Sequence, residues 1–361
     1  MRLNLTLMKK HNFSAGPCIL PQEVLKQASE AVLNFNNDDL SLIEISHRSP
    51  AFVAVMEKAQ NLVLELLNLE NKGYSVLFLQ GGASLEFLMT PYNLLTKDGK
   101  AVYLDTGTWS SKSIKEAKLF GNIEVIASSK DKNYNYIPKG YIISADADYF
   151  HCTSNNTIFG TQMKSFPKPN GLLVCDMSSD IFSRTLDFSQ FDLIYAGAQK
   201  NMGPAGTTLV VIKDAILGKT GRTIPSMLDY QVHISKDSMY NTPSVFAVYV
   251  SMLTLQWMKD LGGVASIEKM NDAKAALLYG EIDSNPLFQG VAEKEDRSYM
   301  NVTFTLTDTS LKEKFDALWK GAGINGLNGH RSVGGYRASM YNALPLESVQ
   351  VLVDVMHKLS K

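Results

Sequence analysis

DLIYAGAQKNMGPAG, residues 192–206, decides how this chain is read. The apolar run LIYA (193–196) has strand length and passes directly into a loop of small residues that holds a single lysine, Lys200. A strand followed by such a loop belongs to an open α/β sheet, whose ligands bind outside the carboxyl ends of the strands. Lysines are ordinarily solvated, and an isolated loop lysine would be read that way. At a strand end, however, Lys200 faces a ligand crevice, where an amine of lowered pKa acts as nucleophile and Schiff-base former. Gly197, Gly203 and Gly206 allow the loop backbone angles and approaches that a Cβ would block.

Outward from this stretch, strand-length apolar runs recur at 75–79 (SVLFL), 101–104 (AVYL), 123–127 (IEVIA), 141–144 (YIIS), 172–175 (LLVC) and 208–212 (TLVVI). With 193–196 they predict an α/β fold whose large domain holds a seven-stranded, mostly parallel sheet flanked by helices. The stretch 51–67 shows apolar spacing at i, i+3 and i+4 behind Ser49 and Pro50, an N-cap and first-turn signal for a helix. After Pro243 a second long helix is expected to end at Gly262. From about Val264 the pattern mixes helices with the strand-like YMNVTFTL (299–306), which suggests a smaller C-terminal α+β domain. The expected division is 11–262 for the large domain and 263–361 for the small one, with the N-terminal segment free to pack on the latter.

The chain has 361 residues, 45% hydrophobic and 20% charged, ordinary globular usage and far from the signature of disorder. Its 35 basic and 36 acidic residues leave no field that would gather nucleic acid or an anionic membrane, so a small-molecule partner is expected. Three cysteines, Cys18, Cys152 and Cys175, suit reduced thiols in a cytoplasm, each read as core filler. The opening MRLNLTLMKK is broken by Asn4 and Thr6 and reads as a ragged start rather than a signal. No apolar run reaches the roughly 20 residues of a membrane span.

Two further features surround Lys200. Asp176 ends the apolar run LLVC, and a carboxylate there could keep the pyridinium nitrogen of pyridoxal 5′-phosphate protonated. A helix cap is the competing reading, given Ser178 and Ser179; a metal is not expected, since no ligand cluster accompanies it. The stretch FLQGGASLEF (78–87) outlines a phosphate cup, with backbone N–H groups at a helix start beside the Ser84 hydroxyl. It matches no strict phosphate-loop pattern and also fits a plain strand-to-helix turn.

HNFSAGPCILP (11–21), EISHRSP (44–50), the QGG turn, DMSSDIFSR (176–184), YAGAQKNMGPAG (195–206), NTPSVFA (241–247) and GHRSVGGYRASMYNALP (329–345) occur in this order. With them the chain resembles the phosphoserine aminotransferases, fold type I pyridoxal-phosphate enzymes of the class V aminotransferase group, along nearly its whole length.

The resemblance implies that Lys200 carries the Schiff base with pyridoxal 5′-phosphate and that Asp176 pairs with the ring nitrogen. Trp109 matches an aromatic that stacks on the ring, and Thr157 a residue near the ring hydroxyl. Ala83, Ser84 and Gln199 match phosphate contacts, and Asn241 and Thr242 a pair reaching the phosphate from the other subunit of a homodimer. Some bacterial members carry arginine where Ser84 stands. His47, Arg48, His330 and Arg331 would then share the distal anion, with Arg337 gripping the substrate α-carboxylate. The implied reaction moves an amino group between L-glutamate and 3-phosphohydroxypyruvate in serine synthesis. A related keto acid of pyridoxine synthesis stays open as a second substrate. Rival readings are another class V enzyme, such as a serine–glyoxylate aminotransferase or a cysteine desulfurase, and a non-catalytic α/β protein that binds phosphorylated metabolites.

Overall fold

The structure is a computed structural model that describes residues 10–360, so all of the opening stretch but Lys10 lies outside the described residues. Seven strands form the main sheet: β1 Tyr74–Leu79, β2 Lys100–Asp105, β3 Asn122–Ser128, β4 Tyr149–Thr153, β5 Leu172–Asp176, β6 Leu193–Gly197 and β7 Thr208–Lys213. Their order across the sheet is β1-β7-β6-β5-β4-β2-β3. β7 runs antiparallel to both neighbours and the remaining pairs are parallel. The carboxyl ends of β1, β2, β4, β5 and β6 therefore lie along one edge.

Both faces of the sheet are covered, which is why most strands read as unbroken apolar runs. One face sends Phe78, Val102, Phe150, Cys175, Ile194 and Val211 into a core shared with the helices α1, Gln22–Leu33, and α2, Pro50–Leu66. The other sends Leu77, Tyr103, Tyr149, Val174, Tyr195 and Val210 toward α3, Gly82–Leu94, and α4, Thr108–Ala117. The helix expected at 51–67 starts as its sequence implies, with Pro50 first and the Ser49 Oγ accepting the Phe52 N–H at 3.4 Å.

One expected strand is corrected. Residues 141–144 form no strand: Ile142 is 88% exposed, while Tyr141 and Ile143 lean on the core from outside the sheet. The position belongs to β4, YFHCT, every residue of which is buried. Its histidine is held inside on one edge: the His151 ring stacks on Tyr103 at 4.7 Å, and its Nε2 pairs with the Tyr195 hydroxyl at 2.8 Å, while His151 Nδ1 and Thr153 Oγ1 are buried without a partner among the described residues. Apolar patterning does not register a strand whose interior is partly polar.

After the short helix α5, Tyr230–Ile234, comes α6, Val245–Asp260, which ends where the sequence predicts. Gly262 adopts φ +98°, with its N–H on the Lys259 carbonyl and the Gly263 N–H on that of Met258, both at 2.9 Å. These two bonds make a Schellman motif. The next helix, α7, Val264–Ser284, is shared between cores. Its Val264 and Ile267 lie in the first, and Ala275, Leu278 and Ile282 in a second. That second core is built on the antiparallel strands β8 Phe288–Gly290, β9 Asn301–Leu306 and β10 Tyr336–Ser339 with α8, Lys312–Gly321, and α9, Leu346–Leu359. Phe13 and Ile19 of the N-terminal segment are buried in it, and His11–Asn12 pairs in parallel with Ile324–Asn325. Among the described residues no helix is long and apolar enough to cross a membrane.

The left-handed conformation at Gly262 gives a direct check on this seam. Gly262→Ala should lower the unfolding free energy by about 1–2 kcal/mol in urea titration with an unchanged m-value. An equal or higher midpoint would show that the helix end tolerates a Cβ.

Candidate active site

Five strand ends deliver side chains to the same edge, and they do so in a fixed order. β5 and β6 are adjacent and in register, with Asp176 opposite Tyr195, so Asp176 closes one strand as the loop to Lys200 leaves the next. That loop is closed by the Ala198 N–H on the Thr207 carbonyl at 3.1 Å and the Gly203 N–H on the Ala198 carbonyl at 2.9 Å. The Lys200 amine points into the N-terminal segment and donates to the Ala15 carbonyl at 2.5 Å. Gly16, at φ +137°, fits there because a Cβ would stand 3.1 Å from Lys200 Cδ and Cε.

Burial sets the chemistry of this pair. Loss of solvent first, and the Arg337 guanidinium second, together lower the Lys200 amine from its usual value to about 8, against weaker opposing pulls from Cys18 and Asp176. Burial acts oppositely on Asp176, raising its carboxyl to about 6 even though Ser178 hydrogen bonds favour the ionised form. Its Oδ1 accepts the Ser178 N–H at 2.9 Å. The cap reading of Asp176 therefore describes a real contact, and it leaves the residue buried at the strand end beside Lys200.

β1 ends in the glycine turn. Gly81, at φ +101°, caps α3, and Ala83 and Ser84 occupy the first turn, whose N–H groups have no acceptor within the helix. Asn241 and Thr242 sit beside this turn in the same chain: Gln80 Nε2 donates to the Thr242 carbonyl and the Asn241 amide donates to Gln80 Oε1, each at 2.9 Å. Gln199 lies over Gly197, where a Cβ would come within 2.7 Å of its Oε1.

β2 delivers Trp109 through the first turn of α4. That turn is anchored by Asp105, whose carboxylate accepts from the hydroxyls of Ser111 at 2.7 Å and Ser128 at 2.8 Å. Trp109 is half-buried against Ile158, Phe159 and Val333. The loop after β4 contributes buried Thr157, whose carbonyl accepts from Arg337 Nη1 at 3.3 Å. Arg337 stands on β10, and its Nε is buried without a partner among the described residues.

His330 lies in the loop before β10. Burial lowers its pKa, and so do Arg337, Arg331 and Lys112. Cations thus converge on His330 with no carboxylate among the groups acting on it. In the turn before α2, burial lowers the His47 pKa and the charge of Arg48 lowers it further, but among the described residues no hydrogen bond joins either to Lys200 or Arg337. Within one chain they stand apart from this constellation.

Four contributors escaped the reading of the sequence. Lys112 lies 4.5 Å over the Trp109 ring, one helical turn on, a spacing that an i, i+3 search would find. Gln80 clamps Asn241 and Thr242. Tyr341, inside the motif around Arg337, donates its hydroxyl to the Ala15 carbonyl at 2.8 Å. Cys18 is not core filler: its Sγ faces the Lys200 carbonyl at 2.5 Å, whereas Cys152 and Cys175 are fully buried.

The comparisons with known proteins agree with this arrangement. Residues 10–352 match the model of the family described as aminotransferase class-V. The chain is 72% identical to the phosphoserine aminotransferase of Flavobacterium johnsoniae, over 98% of this chain and 99% of that protein. The structure superposes on the phosphoserine aminotransferase of Bacillus circulans subsp. alkalophilus with TM-score 0.94 at 42% identity, covering 97% and 98% of the two chains. It also matches a pyridoxal-phosphate-bound phosphoserine aminotransferase from Trichomonas vaginalis, with TM-score 0.91, 35% identity and coverage of 97% and 100%. The chain belongs to the class-V aminotransferase family, and within it to the branch of the phosphoserine aminotransferases.

Pyridoxal 5′-phosphate is the cofactor of that family, and the residues present fit it. A half-buried amine of lowered pKa, a buried carboxylate one strand away, an uncapped helix start and an orphaned guanidinium Nε are the groups that an aldehyde, a ring nitrogen, a phosphate and a bound carboxylate would satisfy.

A lowered pKa means that the amine is protonated below about 8 and neutral above it. In the full chain depleted of cofactor, acetylation of Lys200 by acetic anhydride should rise between pH 7 and 9, whereas surface lysines follow near 10.4. A Lys200 midpoint among the surface values would contradict the burial argument.

Proposed function

We propose that this chain transfers the amino group of L-glutamate to 3-phosphohydroxypyruvate, giving 2-oxoglutarate and O-phospho-L-serine in serine biosynthesis. The observation that carries the proposal is the half-buried, low-pKa Lys200 amine on the same sheet edge as Asp176, under the charge of Arg337, whose Nε has no partner among the described residues.

Bound pyridoxal phosphate supplies the electron sink that makes a carbanion at the substrate Cα accessible. Every other task falls to the chain. Lys200 Nζ would hold the cofactor through its aldehyde and would take up the proton from the substrate Cα; a pKa near 8 suits both. Asp176 would hold a proton on the ring nitrogen, and Trp109 would stack on the ring. Thr157 would meet the ring hydroxyl, while Ala83, Ser84 and Gln199 hold the phosphate at the start of α3.

Arg337 would grip the α-carboxylate in a fork that includes its unpartnered Nε. His330 and Arg331, with His47 and Arg48, would receive the distal anion, a carboxylate in glutamate and a phosphate in the keto acid. One set of cations serves both because both substrates carry two anionic ends. We read the two cores as domains of 11–262 and 263–361 joined through α7. A cytoplasmic homodimer, in which Asn241 and Thr242 complete the neighbouring phosphate site, is the assembly this reading requires.

Two variants separate the roles. Lys200→Ala should reduce turnover of 3-phosphohydroxypyruvate with glutamate by about 10³-fold or more, and intact turnover would remove Lys200 from the chemistry. Arg337→Ala should raise both KM values, with a loss of roughly 30-fold or more in kcat/KM, while cofactor absorbance is retained. Unchanged KM values would reassign the α-carboxylate.

A further inference from the structure

The carbonyl of Ala15 accepts from two donors at once, Lys200 Nζ at 2.5 Å and the Tyr341 hydroxyl at 2.8 Å. Tyr341 is 1% exposed, and its own oxygen accepts from the Asn301 amide at 3.3 Å. Asn301 is in turn fixed: it donates to Ser339 Oγ at 2.9 Å and accepts from Asn155 at 2.7 Å. With Asn301 as a donor on one side, the tyrosine hydroxyl gives its own proton to Ala15.

The backbone of Tyr341 is held as firmly from the opposite side. Lys274, on α7 and 1% exposed, donates its ammonium to the carbonyls of Met340 at 3.1 Å and Tyr341 at 2.9 Å. Among the described residues it has no carboxylate partner. A buried lysine without a counter-ion is costly to keep, and here its two acceptors are the peptide groups that orient Tyr341.

The N-terminal segment is tied to both walls of the site. The Ser339 N–H donates to the Phe13 carbonyl at 3.2 Å, and the Cys18 N–H to that of Gln199 at 3.1 Å. Between these ties, residues 14–17 cross the Lys200 amine, with Gly16 in contact with its side chain. Among the described residues, Ser14 is tied to Asn325 by its hydroxyl at 3.4 Å, and the Ala15 carbonyl by the Tyr341 hydroxyl.

We infer that Tyr341 is a positioning residue: it fixes the Ala15 carbonyl as the resting acceptor for the Lys200 amine and so keeps the strap over that amine closed to water. The inference rests on the reading of Lys200 given above. It adds what holds the amine while it is unengaged. When Lys200 leaves the cofactor, a fixed acceptor keeps the freed amine from swinging into the space the substrate needs, and a closed strap keeps it desolvated.

Tyr341→Phe removes the hydroxyl and leaves ring, backbone and Lys274 contacts in place, and the acetylation midpoint of Lys200 in the cofactor-depleted full chain tests the idea. Without the tie, water reaches the amine and the ammonium is better solvated. The midpoint should therefore move up from about 8 by about half a pH unit or more, roughly threefold in acid dissociation constant. A midpoint within about a tenth of a unit of the parent overturns the inference, even if kcat falls, because a merely structural loss would lower activity without moving it. Should Tyr341→Phe fail to accumulate as folded chain, Lys274→Met frees the Tyr341 carbonyl and must shift the midpoint in the same direction. Turnover by Lys200→Ala is a separate readout: its survival would sink the proposed reaction without bearing on what Tyr341 holds.

Discussion

Taking a lysine amine out of water disfavours its charged form, and at Lys200 this desolvation is reinforced rather than relieved by the charge that acts on it most strongly, Arg337. The same burial drives Asp176 the other way, toward its protonated form, so that an acid and a base of widely separated ordinary pKa values meet near neutrality at about 6 and about 8. Near pH 7 the carboxylate is then mostly ionised and the amine holds a sizeable neutral fraction. That balance depends on exclusion of water, and the residues that exclude it become part of the chemistry. Gly16 over the side chain, Tyr341 on the Ala15 carbonyl and Cys18 against the Lys200 carbonyl all serve this end.

Exclusion in turn depends on contacts between remote parts of the chain. Phe13 and Ile19 are buried with residues of β9, β10 and α9, and the segment between them lies on the loop of Lys200. The site is thus sealed by a strap whose ends are anchored in the core of the three-stranded sheet. α7 joins that core to the core of the main sheet, and its buried Lys274 fixes the peptide groups after β10 that carry Tyr341. A motion of one core against the other would be felt at Ala15 before it was felt at Asp176, because Asp176 is locked into the sheet by its register with Tyr195.

The sheet was legible in the sequence where strands are buried on both faces, since LLVC and TLVVI are apolar without a break. It was illegible at β4, where His151, Cys152 and Thr153 are buried in a strand whose histidine stacks on one ring and pairs through Nε2 with a phenol. Periodicity measures hydrophobicity, and tertiary partners can make a polar residue behave as an interior one. The site divides in the same way. Lys200 and Asp176 were visible as strand-end residues, because strand direction alone places them. Ala15 acts through its backbone carbonyl and Tyr341 through a contact 326 residues away in sequence, and neither leaves a local signature. His47 and Arg48 carried a motif match, yet among the described residues no hydrogen bond ties them to Lys200 or Arg337.

Charge pairing distinguishes two kinds of arginine in this molecule. Arg184 bonds Asp180 at 3.0 Å, and Arg297 meets Asp283 through two nitrogens at 2.9 and 2.8 Å; these are structural pairs whose charge is answered within the chain. Arg331 and Arg337 have no ion pair among the described residues, and Lys112 joins them around His330. Gathering cations without counter-ions is destabilising unless an anion is there to meet them, so the cluster is explained by a ligand with negative charge at the end remote from the reacting carbon. Position 84 offers only a hydroxyl to such a ligand. Lys112, held over Trp109 and within electrostatic reach of His330, adds a positive charge on another element. A dianionic phosphate gains more from each added cation than a carboxylate does, so under the proposed distal-anion role this cluster would favour the phosphorylated keto acid over glutamate.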